Sequence, residues 1–313
     1  MKTAFLYAGQ GSQHPGMGKD LYDIFPEFRN AFDAAPLDFD LHRLCFEDPD
    51  QKLMQTEYTQ PCMVAFASGV TAVLQKMGIT ADYAAGLSLG EYSALEAAGV
   101  FNAKTAIRTV SFRGKAMEKA SRGIDCEMVA VLGLDEAALN RCCSEAASLS
   151  GKVVSICNYN CPGQLVIGGE KAAVESAAAL AKEAGAARCI PLSLSGPFHT
   201  SLMKPAGDAL SEYFSHMTFQ EMKFPVLFNC LGKENSENLS LSELLVRQVQ
   251  SSVRMEDIIR RMFELGVTDF IEIGPGRALS GFVKKTAKAM GITEYVCHSI
   301  ETADEILALS ADK

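Results

Sequence analysis

Gly86, Leu87, Ser88, Leu89 and Gly90 have the spacing of a nucleophile elbow, in which small flanking residues let the chain turn sharply enough to lift a serine hydroxyl above a sheet. A serine hydroxyl becomes an effective nucleophile only when a base takes its proton, and the chain has five histidines that could serve. His14 lies in an N-terminal loop, His42 and His216 in polar helical stretches, and His298 at the end of a strand-like run; these read as surface or structural histidines. His199 follows Ser195, Gly196, Pro197 and Phe198, a rigid turn, and precedes a helical run. A loop between elements therefore holds it, and it is the candidate base. Arg113 is the third candidate. Three residues after Val110 and four before Met117 on a helix at about 104–119, its guanidinium falls on the face expected to be buried. A buried arginine requires an anion. Either a protein carboxylate supplies it, or a carboxylate on a substrate does, gripped bidentately as lysine could not.

The elbow pattern alone is weak, and the elements around it give it weight. A strand at about 83–87 precedes Ser88 and a helix at about 89–98 follows it, so the amide of Leu89 belongs to a helix N-terminus that can donate to an oxyanion. An opening strand at 3–8 runs into the loop Gly9, Gln10, Gly11, Ser12, Gln13, and a helix at about 61–77 is read as starting at Pro61 and amphipathic. From about 127 the rhythm changes to strand 128–132, helix 136–147, strand 153–157, strand 164–168, helix 172–184 and strand 188–192. This β-α-β-β-α-β order is that of a ferredoxin-like unit. The division is therefore a large α/β domain, discontinuous over 1–124 and 194–313, with a small ferredoxin-like domain inserted at 125–193. Strands near 226–230, 269–273 and 295–299 continue the large sheet.

Composition excludes several classes. A chain of 313 residues with 48% hydrophobic and 21% charged residues has the make-up of a folded globular protein. No stretch is apolar enough to span a membrane, and no signal peptide pattern opens the chain, so a cytoplasmic location is expected. Ten scattered cysteines, two of them adjacent, fit a reducing compartment. Cys157 and Cys161 lack the second ligand pair of a zinc site, so no metal is expected. A net charge of -9 argues against nucleic acid as the main partner.

Together these residues resemble the malonyl-CoA:acyl carrier protein transacylases and, more broadly, the acyltransferases of fatty acid and polyketide synthesis. The resemblance covers nearly the whole chain. It rests on Gly9 to Gln13, Gly86 to Tyr92, Arg113-Gly114, Asn158-Tyr159-Asn160 with Pro162-Gly163-Gln164, Pro197-Phe198-His199, the Gln248 region and Gly274-Pro275-Gly276. It implies an α/β-hydrolase-like large domain carrying a ferredoxin-like insertion. By the same resemblance Ser88 is acylated, His199 is the base, Arg113 binds the malonyl carboxylate, and Gln10 with the Leu89 amide forms the oxyanion hole. Gln248 stands where the family has a glutamine that helps position the histidine, which implies a Ser-His pair oriented by an amide or backbone oxygen. Met117, Met128 and Phe198 match apolar positions around the acyl group, with core packing the plainer account of Met128. The implied substrates are malonyl-CoA and acyl carrier protein, without a cofactor, and a monomer is the default. Leu87 stands where the commonest serine motif has histidine, and Ala8 where many members have proline. Two rivals share these features. A serine hydrolase or thioesterase would pass the acyl group to water, and usually carries an acid between Ser and His, of which no candidate stands out here. A non-catalytic carrier-binding module should have lost a reacting residue, and Ser88, His199, Arg113 and Gln10 are all present. Carrier proteins are acidic, as is this chain, so a local basic patch at Arg277, Lys284, Lys285 and Lys288 is a candidate contact, against the plainer reading of a solvated helix face.

Overall fold

The computed structural model of the chain describes residues 1–193 and 196–312. Nine strands are named in chain order: β1 (Lys2–Tyr7), β2 (Tyr83–Gly86), β3 (Cys126–Leu132), β4 (Val154–Cys161), β5 (Gln164–Glu170), β6 (Arg188–Pro191), β7 (Val253–Arg254), β8 (Val267–Ile273) and β9 (Val296–Ile300). The architecture is mixed α/β, and the chain divides into two compact units. One comprises Met1–Lys115, Thr218–Leu227 and Arg260–Lys313; the other comprises Ala116–Met217 and Phe228–Ile259.

The first unit holds a wholly parallel sheet of order β2-β1-β8-β9. Parallel strands are joined by helices that cover both faces, so they read as continuous apolar runs. Accordingly, β1 buries every residue after Lys2, and β8 all but Thr268. Tyr7 is in register with both Gly86 and Ile273, so β1, β2 and β8 end together. Three loops therefore leave one edge of the sheet: the chain after Tyr7 that carries Gln10, the turn at Ser88, and Gly274-Pro275-Gly276. The carboxyl ends of parallel strands are where open α/β sheets place their ligands. Ala8 donates its N–H to the Ile273 carbonyl at 3.0 Å, a bond that proline could not make.

The second unit holds a sheet of order β6-β3-β5-β4-β7, antiparallel except that β7 pairs in parallel with β4. Helices Glu136–Ser150 and Lys171–Glu183 pack on it through Leu139, Cys143, Val174 and Ala177, against Val131, Ile156 and Ile167. Asp135 caps the first of these helices by accepting from Ala138 N–H, and Gly151 ends it in the left-handed conformation. This unit takes in more chain than 125–193. β7 joins the edge of β4, and the Ser252 hydroxyl donates to the Ile156 carbonyl at 2.7 Å.

Two elements differ from the sequence reading. The helix expected from Pro61 spans Thr56–Lys76, with Pro61 inside it, and it is buried almost all round rather than along one stripe. No strand forms at 226–230. Val226 makes a single parallel bridge to Ala84, and the chain then turns, with Phe228 bridged to Lys233. Ser195, the start of the turn read before His199, lies outside the described residues.

Candidate active site

In the first unit, β2 ends at Gly86 and the helix Gly90–Ala97 begins four residues later. Ser88 sits between them at φ 54°, in the left-handed region that residues with a Cβ seldom occupy. Backbone bonds hold the turn: Leu87 N–H donates to Tyr7 O at 2.9 Å, Gly90 N–H to Leu87 O at 3.0 Å, and Glu91 N–H to Ser88 O at 3.1 Å. Both flanking glycines are required by close approach. A Cβ at Gly86 would lie 2.0 Å from the carbonyl carbon of Gly90, and one at Gly90 would lie 2.4 Å from Tyr7 O. Leu89 is the N-cap residue, so its N–H belongs to the amides at the positive end of the helix and is suited to an oxyanion.

Arg113 lies on the helix Ala103–Ser121 and is completely buried. Its Nη2 donates to Ser88 Oγ at 3.1 Å and its Nη1 to Gln60 Oε1 at 2.9 Å. The guanidinium also stands over the Tyr92 ring, 5.5 Å from its centre. Burial pulls the Arg113 pKa below the ordinary arginine value, opposed by the charges of Tyr92 and Glu91 and a hydrogen bond with Tyr92. A guanidinium remains charged even so. The first unit thus sets a fixed positive charge beside the hydroxyl oxygen, which favours an anionic oxygen or a carboxylate there. Gln10 is held by a different residue of the helix Thr56–Lys76: its Nε2 donates to Thr56 Oγ1 at 3.1 Å.

The second unit holds His199, Gln248, Phe198, Met117 and Met128, all buried. His199 is also at positive φ, 59°. Its Nδ1 lies 3.0 Å from the Gln248 carbonyl oxygen. A carbonyl only accepts, so Nδ1 carries the hydrogen and Nε2 is the basic nitrogen of the neutral ring. The partner is thus the backbone of Gln248, on the helix Leu241–Val249, which a Ser240–Glu243 capping box starts. On its own loop His199 is bracketed by Thr200, whose hydroxyl donates to Pro197 O at 2.6 Å and accepts from Leu202 N–H at 3.3 Å.

Three residues of this constellation have no role assigned from sequence. Gln60 and Thr56 are buried polar residues four apart on one helix, a face that i, i+4 spacing brings together. Tyr92, three residues into the elbow helix, lies under the guanidinium. Among the described residues no group of three or more His, Cys, Asp and Glu is arranged to hold a metal. All ten cysteines are thiols, seven of them buried. Among the described residues no helix is long and apolar enough to cross a membrane. Of the basic residues near the C-terminus, Arg277 pairs with Glu305 at 2.9 Å, while Lys284, Lys285 and Lys288 are exposed on the helix Ala278–Met290.

Comparison with known proteins places the chain in one family. The acyl transferase domain matches residues 4–303, and the chain belongs to that family. It is 43% identical over 291 residues, covering 92% of each chain, to a protein of Bacillus subtilis named malonyl CoA-acyl carrier protein transacylase. Among solved structures it is similar to MCAT from Streptococcus pneumoniae, with TM-score 0.92, 41% identity and full coverage of both chains. It is also similar to a malonyl-transacylase solved in complex with its type II PKS acyl-carrier protein, with TM-score 0.93, 37% identity and full coverage of both chains.

Proposed function

We propose that this chain is an [acyl-carrier-protein] S-malonyltransferase, moving malonyl from malonyl-CoA to the phosphopantetheine thiol of acyl carrier protein in fatty acid biosynthesis. The observation that carries this is the buried Arg113 guanidinium 3.1 Å from Ser88 Oγ, in a chain of the acyl transferase family. It supports a nucleophile that works beside a carboxylate-bearing acyl group. In the first half-reaction Ser88 Oγ attacks the thioester carbonyl while His199 Nε2 takes its proton. The C–S bond then breaks, and CoA leaves as the thiol with that proton. In the second half the carrier thiol gives its proton to His199 and attacks the serine ester, and the C–O bond breaks as Ser88 regains a proton. Gln10 and the Leu89 N–H stabilise the oxyanion of each tetrahedral intermediate, worth about 3–4 kcal/mol per donor. Gln248 holds the base, and Met117 and Phe198 line the acyl group. These steps call for no metal and no redox cofactor.

The fold reading is an α/β-hydrolase-like catalytic domain, 1–124 and 194–313, carrying a ferredoxin-like domain at 125–193. The element order from Cys126 to Pro191 and the antiparallel order β6-β3-β5-β4 support it. The enzyme is read as cytoplasmic and monomeric.

The test is the fate of the acyl group. Enzyme loaded with malonyl-CoA is mixed with phosphopantetheinylated carrier protein, with Ser88→Ala as control, and malonyl-carrier and free malonate are measured. Malonyl-carrier formed by the parent and absent with Ser88→Ala supports the transferase. Release of malonate with the carrier ignored would make the chain a hydrolase and overturn the proposal.

A further inference from the structure

His14 lies four residues beyond Gln10, on the loop that leaves β1. Its ring meets two groups: Nδ1 is 3.0 Å from the Pro15 carbonyl oxygen, and Nε2 is 2.6 Å from Glu301 Oε1. A carbonyl and a carboxylate are both acceptors, so the ring bonds both of them at once only when both ring nitrogens carry hydrogen, that is, when His14 is protonated. The second oxygen of the same carboxylate, Glu301 Oε2, accepts the N–H of Gly276 at 2.9 Å. Glu301 follows β9 directly. Its carboxylate therefore joins two loops from the same sheet edge, the one after β1 and the one after β8. Glu301 is itself held in place, since its N–H donates to Glu305 Oε2 at 2.8 Å.

Motion at His14 has a short route to Gln10. Gly11 N–H donates to Gln13 Oε1 at 2.7 Å, and the Ser12 hydroxyl to Gly9 O at 3.4 Å, so the residues around Gln10 form closed turns over Gly9 to Gln13, and His14 is the next residue in the chain. We infer that His14 and Glu301 are positioning residues for acyl transfer: as an ion-paired clasp they hold the Gln10 loop in register with the oxyanion, and the clasp opens when His14 loses its proton. This rests on the reading of Gln10 as an oxyanion donor.

Glu301 is the direct partner, Glu305 lies behind it and is paired with Arg277, and Asp20 accepts the N–H of Ala303 at 2.7 Å. The hydrogen bond to Glu301 raises the His14 pKa above its ordinary value; partial burial opposes this, and the Pro15 carbonyl and the Glu301 charge add to the rise. A raised histidine pKa means that the clasp is intact below that pKa and is lost as pH rises through it. The side chains of His14 and Glu301 are 49% and 28% exposed, so the pair adds little to global stability and its effect is local.

The experiment is the pH profile of Ser88 acylation by malonyl-CoA in single turnover, read by intact mass, for the parent, His14→Gln, His14→Arg and Glu301→Gln. Melting temperatures establish that each variant is folded. The parent should lose roughly five- to tenfold in rate on the alkaline side, short of the loss from removing an oxyanion donor outright. His14→Gln and Glu301→Gln should be slow by about that factor at every pH, without the alkaline fall and with KM for malonyl-CoA unchanged. His14→Arg, a permanent cation with donors for both acceptors, should stay fast and flat. An alkaline fall that persists in the His14 variants, or a His14→Arg as slow as His14→Gln, overturns the inference. A parent that forms no malonyl adduct would instead fail the transferase reading.

Discussion

The Ser88 turn and the His199 loop reach the same unusual backbone conformation, φ 54° and 59°, by different means. The serine is held by backbone crowding: Gly86 and Gly90 leave no room for a side chain, and Tyr7 O accepts the Leu87 N–H. The histidine is held by side chains and distance: Thr200 brackets its loop, and its ring is fixed by a carbonyl 49 residues away. A crowded turn at a sheet edge has no softer alternative, whereas a bracketed loop can lose a bond and relax. Substitutions should therefore act as all-or-none at the serine and by degrees at the histidine.

The largest effect should come from removing the reacting atoms. Ser88→Ala should form no malonyl adduct by intact mass, and His199→Ala should lower acylation by ~10³ or more. Next is Gly90→Ala, whose Cβ would meet Tyr7 O. It should cost about 3 kcal/mol of stability in denaturant unfolding and abolish acylation, because neither backbone can yield without moving β1. Thr200→Val removes the bracket but not the histidine. A loss of about 1–2 kcal/mol and a partial fall in acylation rate are expected, and an effect as complete as that of Gly90→Ala would break the contrast.

A smaller effect tests the far end of the elbow helix. Glu96, against the Ser68 hydroxyl at 2.9 Å, has its pKa raised by burial to about 7. The folded state thus holds a proton that the unfolded chain releases near pH 4.5, and stability falls as pH rises from there to about 7. Glu96→Gln should leave melting unchanged in acid and raise stability by about 2 kcal/mol above neutrality. An equal shift at all pH values would show that the carboxyl is not protonated in the native state.

The elbow was legible in sequence because everything it needs is local: a strand, two glycines and a helix start. Arg113 was legible through period, since its spacing from Val110 and Met117 places it on a buried face, and the structure buries it fully. Thr56 and Gln60 were not, for a specific reason. The apolar spacing is legible only from about Pro61, so the five preceding residues, which carry both polar groups, fall outside the helix expected from sequence. Gln248 could be reached only through resemblance, which leaves an amide and a backbone oxygen open as the group that orients the histidine, and the bond uses its backbone oxygen. β7, two residues long, has no period to read, so the chain from 228 to 259 could not be assigned to the second sheet. Val226 shows the converse, an apolar strand-like run that makes one bridge because the chain turns directly after it.

The most direct test of the role given to the guanidinium beside the serine is a competition between malonyl-CoA and acetyl-CoA for Ser88, in the parent and in Arg113→Ala, read by the mass of the acyl adduct. The expected result is a malonyl adduct in the parent, and in the variant a malonyl rate lowered by ~10² or more with the acetyl adduct now dominant. An Arg113→Ala enzyme that still takes malonyl in preference to acetyl would contradict it.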